Sequence, residues 1–310
     1  LAQRAAALTR RASVLQWLVR AADAAEACAE VLALAEQGDR SGAGDVPVAL
    51  ATRLFAVGIR ASSLASLGQA GAGAELMAAW GERARTCNDA EARLVFFGTY
   101  CTVLTYANRR REAVSAGERH IALARAAGRR DELLSGLADV SAAQVFLGRL
   151  DHAIALAREA QQLADSLGQD RAAAAVNAAN LGWYLVAAGS YGEGLGLIED
   201  ALAALRTLMP TSAFVANVEC FLADALIALG QPARAAPLLD DGDDQRLPSF
   251  LRAKRLLGRV RAARAAARPA PELIERGLAL AQGDAGLPVK MVLLLEQALL
   301  QAPEAALALA

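Results

Sequence analysis

The chain has 310 residues, of which 55% are apolar and only 5% aromatic, and it carries 32 basic against 33 acidic side chains. Abundant alanine and few β-branched residues argue against a sheet protein. The balanced charge argues against a dedicated nucleic-acid binder, which shows a clear basic excess.

In chain order, residues 1–49 read as a first hairpin and loop. Trp17 to Leu34 contains the helix-favouring run Ala21-Ala22-Asp23-Ala24-Ala25, and Gly38 to Pro47 reads as a loop. From residue 50 to 245 one unit recurs. A glycine follows an apolar helix at Gly68, Gly148, Gly189 and Gly230, and Asn108 takes the same place once; the spacings are 40, 40, 41 and 41. Glycine, and next best asparagine, adopts the left-handed conformation that ends a helix, so each anchor predicts a tight turn between antiparallel helices. Seven residues before each anchor stands Ala61, Cys101, Ser141, Gly182 or Ala223. Five residues after it stands Gly73, Ala113, Ala153, Gly194 or Ala235. All ten are small, as two closely crossing helices require.

The second helix of one unit places Leu156, Ala160, Leu163, Ala164 and Leu167 on a single face. Gly128 and Gly168 stop two such helices, and polar residues follow them, Arg129-Arg130-Asp131 and Gln169-Asp170-Arg171. Asp240 to Pro248, with Asp240, Asp241, Asp243 and Asp244, reads as a loop that bends the array or breaks its register. Residues 246–310 read as further hairpins, with a turn near Pro269-Ala270-Pro271. On the first of these helices Arg252, Arg255 and Arg259 share one face and Arg261, Arg264 and Arg268 another. Two separate basic faces, with Lys254 among them, predict a solvated helix neutralised by the aspartate loop; Arg109-Arg110-Arg111, at a turn, reads likewise as exposed.

The copy Asn180-Leu181-Gly182, then Gly189, Tyr191, Glu193 and Ala201-Leu202, resembles the tetratricopeptide family's N-L-G…G-x-Y-x-E…A-L pattern. It departs at Gly194, where the family has alanine. The period is also longer than the usual ~34 residues and lacks the closing proline. The resemblance covers residues 50–245. It implies an all-α fold, a right-handed α-solenoid of about seven antiparallel hairpins spanning 1–310 as one domain. Arrays with this long period accompany large bacterial regulators. The chain starts at Leu1 and ends in Ala305-Ala306-Leu307-Ala308-Leu309-Ala310, which reads as a piece of a larger protein.

The family's groove positions, carried over to this sequence, are Thr102, Tyr106, Phe146, Asn180, Trp183, Asn217, Phe221 and Asp224, with Thr99, Thr105 and Asp139 beside them. The resemblance implies a protein or peptide partner in that groove, and leaves open whether Phe146, Trp183 and Phe221 line it or only pack between units. The lysine and arginine set that clamps a C-terminal carboxylate in some members is absent from these positions. The expected function is a regulatory or sensory protein-interaction module of a multidomain bacterial signalling protein or transcriptional regulator. A stand-alone adaptor or peptide receptor is the alternative. Homo-oligomer formation stays open.

Catalytic motifs are scarce. Cys28, Cys87, Cys101 and Cys220 form no C-x-x-C pair, so they read as buried small hydrophobes in a reducing, cytoplasmic setting. His120 and His152 stand in no metal-binding spacing, and neither a phosphate loop nor a nucleophile elbow is present. The expectation is no enzyme, no cofactor, no metal, no signal peptide and no membrane span.

Overall fold

The computed structural model describes residues 1–18, 20–41, 47–168, 171–240 and 247–301. Among them the chain is all-α, an array of tetratricopeptide-like antiparallel hairpins. It divides into two compact units, Leu1–Arg149 and Leu150–Ala310. The first holds α1 (Ala2–Trp17), α2 (Ala21–Ser41), α3 (Leu50–Ser66), α4 (Ala70–Thr86), α5 (Ala90–Tyr106), α6 (Arg110–Ala127) and α7 (Arg130–Phe146). The second holds α8 (Leu150–Leu167), α9 (Arg171–Ala187), α10 (Tyr191–Leu208), α11 (Ala213–Ala228), α12 (Pro232–Ala235), α13 (Ser249–Ala265), α14 (Pro271–Leu280) and α15 (Gly283–Gln301).

Within each unit a helix packs on its successor, and first helices also pack on first helices: α1 on α3, α3 on α5 and α5 on α7, then α9 on α11, α11 on α13 and α13 on α15. That second set of contacts lines up equivalent side chains from successive hairpins. The core of the first unit includes Leu54, Met77, Leu94, Phe96, Leu104 and Leu137. The second unit is built around Ile198, Leu205, Phe221, Leu226, Leu239 and Leu251, with a further cluster of Leu256, Val260, Ile274 and Leu293.

The expected turns are present. Gly68, Asn108, Gly148, Gly189 and Gly230 all have positive φ, from 59° at Asn108 to 86° at Gly189. At Gly189 the hydrogen bonds close as a left-handed cap should: the Gly189 N–H donates to Val186 O (3.0 Å) and the Ser190 N–H to Leu185 O (2.8 Å). Ala267, with φ 55°, makes the same kind of turn after α13, its own N–H donating to Arg264 O and that of Arg268 to Ala263 O. The ten small positions are all buried. Gly194 explains its departure from alanine: a Cβ there would lie 2.6 Å from Gly182 O, and one on Gly182 would lie 2.6 Å from Gly194 O.

Two segments differ from expectation. The expected Gly38–Pro47 loop is helical as far as Ser41. The Asp39 carboxylate grips the Arg53 guanidinium at 2.6 and 2.7 Å, which pins the last turn of α2 to α3. Residues 42–46 lie outside the described residues, as do Gln169, Asp170, Asp241, Asp243, Asp244 and the apolar end 302–310. The second helix of the sixth hairpin is only four residues long and passes into a 3-10 turn, Ala236–Leu239. Pro237 lacks the N–H that would continue the α ladder.

Candidate functional site

In the second unit α9, α11 and α13 lie side by side, and residues 37 or 38 apart meet. Trp183 on α9 stacks on Phe221 of α11, with centroids 4.8 Å apart and planes within 10°. Asn217, one turn earlier on α11, accepts a 2.8 Å hydrogen bond from Lys254 Nζ of α13. That ammonium stands 4.1 Å from the Phe221 ring centroid and 5.8 Å from that of Trp183, the geometry of cation–π attraction. Phe221 is buried, so it forms the floor, while Trp183, Asn217 and Lys254 are half-buried around it. Asn180 is half-buried one turn before Trp183.

Burial holds the Lys254 ammonium below the ordinary lysine range, and the Asp224 charge counters this only in part. Among the described residues no carboxylate lies within 4 Å of Lys254. Asp224 is instead 3.4 Å from Arg261.

The sequence candidates of the first unit form a separate set. Thr102 Oγ1 on α5 donates to Asp139 Oδ2 on α7 at 2.9 Å. Burial raises the Asp139 carboxyl above the usual carboxylate range; the Thr102 hydrogen bond and the His120 field ease it in part. Tyr106, one turn beyond Thr102, is 42% exposed. Phe146, 51% exposed, lies under the Arg110 guanidinium at 4.3 Å. Arg110 also donates to Thr105 O (2.6 Å) and Asn108 Oδ1 (2.8 Å), so it clasps the turn after α5.

Sequence reasoning missed Lys254 and Arg110, having assigned both to solvated basic surface. Lys254 had a readable signal: it stands 37 residues after Asn217, close to the spacing that relates Trp183 to Phe221. The expectation of a solvated, aspartate-neutralised helix is corrected. Each basic face of α13 meets a neighbouring helix. Arg255 is buried and pairs with Glu219 of α11. Arg261 and Arg264 pair with Glu296 of α15 at 3.4 and 2.8 Å. Arg109 likewise is held by Glu75 and Glu112.

His120 is buried between helices, its Nε2 2.9 Å from Glu132 Oε2, and Gly98 and Gly136 leave the space its ring fills. His152 is exposed. All four cysteines are buried; desolvation raises the Cys28 thiol to about 12 and that of Cys220 to about 11. Among the described residues no three metal-ligating side chains converge, and no helix is long and apolar enough to cross a membrane.

No protein-family model matches the chain, and no curated protein matches it by sequence. Solved structures do match its fold. NprR in complex with its cognate peptide NprX is similar over 98% of this chain and 85% of its own, with 12% identity and TM-score 0.68. A signal transduction ATPase with numerous domains and a tetratricopeptide repeat sensor, from Pyrococcus horikoshii, is similar over 97% of this chain at 13% identity and TM-score 0.63; the chain spans 44% of that protein. The Rap conjugation gene regulator of plasmid pLS20, in complex with the Phr* peptide, is similar over 98% of this chain and 97% of its own, with 14% identity and TM-score 0.57. By helix order, turn conformation and these likenesses, the chain is a tetratricopeptide-like repeat domain.

Proposed function

We propose that this chain is a non-catalytic, regulatory or sensory protein-interaction module of a larger bacterial signalling protein. It takes a peptide or helical segment of a partner across the first-helix face of the second unit. The observation that carries the reading is the Trp183–Phe221 stack topped by the Lys254 ammonium, which no carboxylate neutralises among the described residues. An aromatic platform beside an ammonium with no ion-pair partner within 4 Å among the described residues, and the half-buried Asn180 and Asn217 amides, suits a segment that brings both apolar surface and hydrogen-bonding groups. The peptide complexes of NprR and of the Rap regulator, and the sensor named in the multidomain ATPase, support a role of this kind on this fold.

The test uses random twelve-residue peptides displayed and selected against the whole chain, then measured by fluorescence polarisation. Trp183→Ala and Lys254→Met are each expected to weaken the selected peptides by about tenfold or more, the loss of roughly 1.4 kcal/mol, while the helical circular dichroism stays native. Undiminished binding by both variants would remove this face from consideration.

A further inference from the structure

The first unit carries a half-buried carboxylate that the fold does not neutralise. Asp139 on α7 is held by one neutral donor, the Thr102 hydroxyl at 2.9 Å. Among the described residues no lysine, arginine or histidine nitrogen lies within 4 Å of it. A carboxylate withdrawn from water without a cation is costly, and folded chains seldom retain one without a use for it.

The charged groups nearby are committed elsewhere. His120, packed from α6, is turned to Glu132. The Arg110 guanidinium is spent on Thr105 O, Asn108 Oδ1 and the Phe146 ring. Burial, then the Asp139 charge, pushes the Tyr106 phenol up, so that phenol stands within the carboxylate's field, and the residue as a whole is 42% exposed. One carboxylate and one hydroxyl are too few oxygens for a divalent ion, which needs six or so. A carboxylate with a hydroxyl and an accessible aromatic ring fits an organic cation instead, through a charge-assisted hydrogen bond and a ring face.

We propose that Thr102, Tyr106 and Asp139 form a seat for a basic side chain of a partner segment, with its guanidinium or ammonium on the Asp139 carboxylate. The seat rests on the interaction role proposed above and adds to it the chemistry of one partner residue. It concerns the first unit alone, so it can fail while the aromatic platform of the second unit stands.

The experiment follows backbone amide shifts of the whole chain while N-acetyl-L-arginine amide is added. N-acetyl-L-citrulline amide, which has the same shape without the charge, is the control, and spermidine is a third arm. Saturable shifts at Thr102, Tyr106 and Asp139 are expected with the arginine compound in the millimolar range and not with citrulline. Asp139→Asn is expected to weaken them at least about tenfold, the scale of one charge-assisted hydrogen bond. Equal shifts with citrulline, no saturable shifts, or an unaffected Asp139→Asn protein would overturn the seat. Tighter saturation by spermidine would overturn its assignment to a partner segment in favour of a free polyamine. The citrulline comparison decides the matter on the unaltered chain even if the variant fails to fold. Peptides that bind through Trp183 while the arginine compound gives no shifts would remove this seat and leave the interaction role intact.

Discussion

Asp139 gives a test that needs no ligand. Its carboxyl titrates above the ordinary value because burial disfavours the charged form. The folded state therefore holds the proton more tightly than the unfolded chain does. The stability gained is complete below the unfolded value near 3.8 and is lost as pH rises through the raised folded value. Asp139→Asn should come closest to the unaltered protein near pH 3.8 and become the more stable of the two toward pH 7. Urea unfolding at both pH values checks this; a gap that shrinks as pH rises would contradict the sign. The site residues were legible to different depths. Trp183, Asn217 and Phe221 follow from register, since equivalent positions of successive first helices must meet. Lys254 shares that register, 37 residues after Asn217, but a lysine flanked by Arg252, Arg255 and Arg259 reads as solvated surface until the helix beside it is known. Asp139 was visible as a groove residue, but its missing counter-ion was not, because that depends on Arg110 folding back over Phe146 instead.

Between elements, α9 and α10 approach each other closely. Each of Gly182 and Gly194 presents its carbonyl oxygen to the space where the other's Cβ would sit. Gly194→Ala restores the residue common in such repeats, yet here it should destabilise by about 1–3 kcal/mol, because the helices must part to admit the methyl group. The denaturant midpoint reads this directly, and an unchanged midpoint would show that the pair yields without cost. In the first unit Cys101 and Ala113 take the corresponding places, both buried, so the crossing there admits side chains. The left-handed turns were readable because glycine spacing is a local signal. The continuation of α2 past Gly38 and the break after α12 were not. The first depends on the Asp39–Arg53 pair across fourteen residues, and the second on Pro237 outweighing the alanines around it.

At the scale of the whole chain, stability in such an array is a sum of hairpin terms and nearest-neighbour contacts. A weakness introduced in α10 should therefore be felt first in α9 and α11, which pack on it. Amide hydrogen exchange of Gly194→Ala should show protection lost most in α9 to α11 and least in α3 and α4; uniform loss would mean that the chain unfolds as one block. Helical class and hairpin order were evident from the sequence, because alanine content and a forty-residue period are global regularities. The turn after α13 was legible from Pro269-Ala270-Pro271 but not from the glycine spacing, since Ala267 occupies the left-handed corner. Its β-carbon resists that conformation by roughly 1 kcal/mol relative to glycine, and the two closing amide bonds impose it regardless. Glycine is thus the preferred occupant of these corners but not what creates them. As Asn108 and Ala267 show, a hairpin can drop the residue and keep the bend, so counting glycines undercounts hairpins.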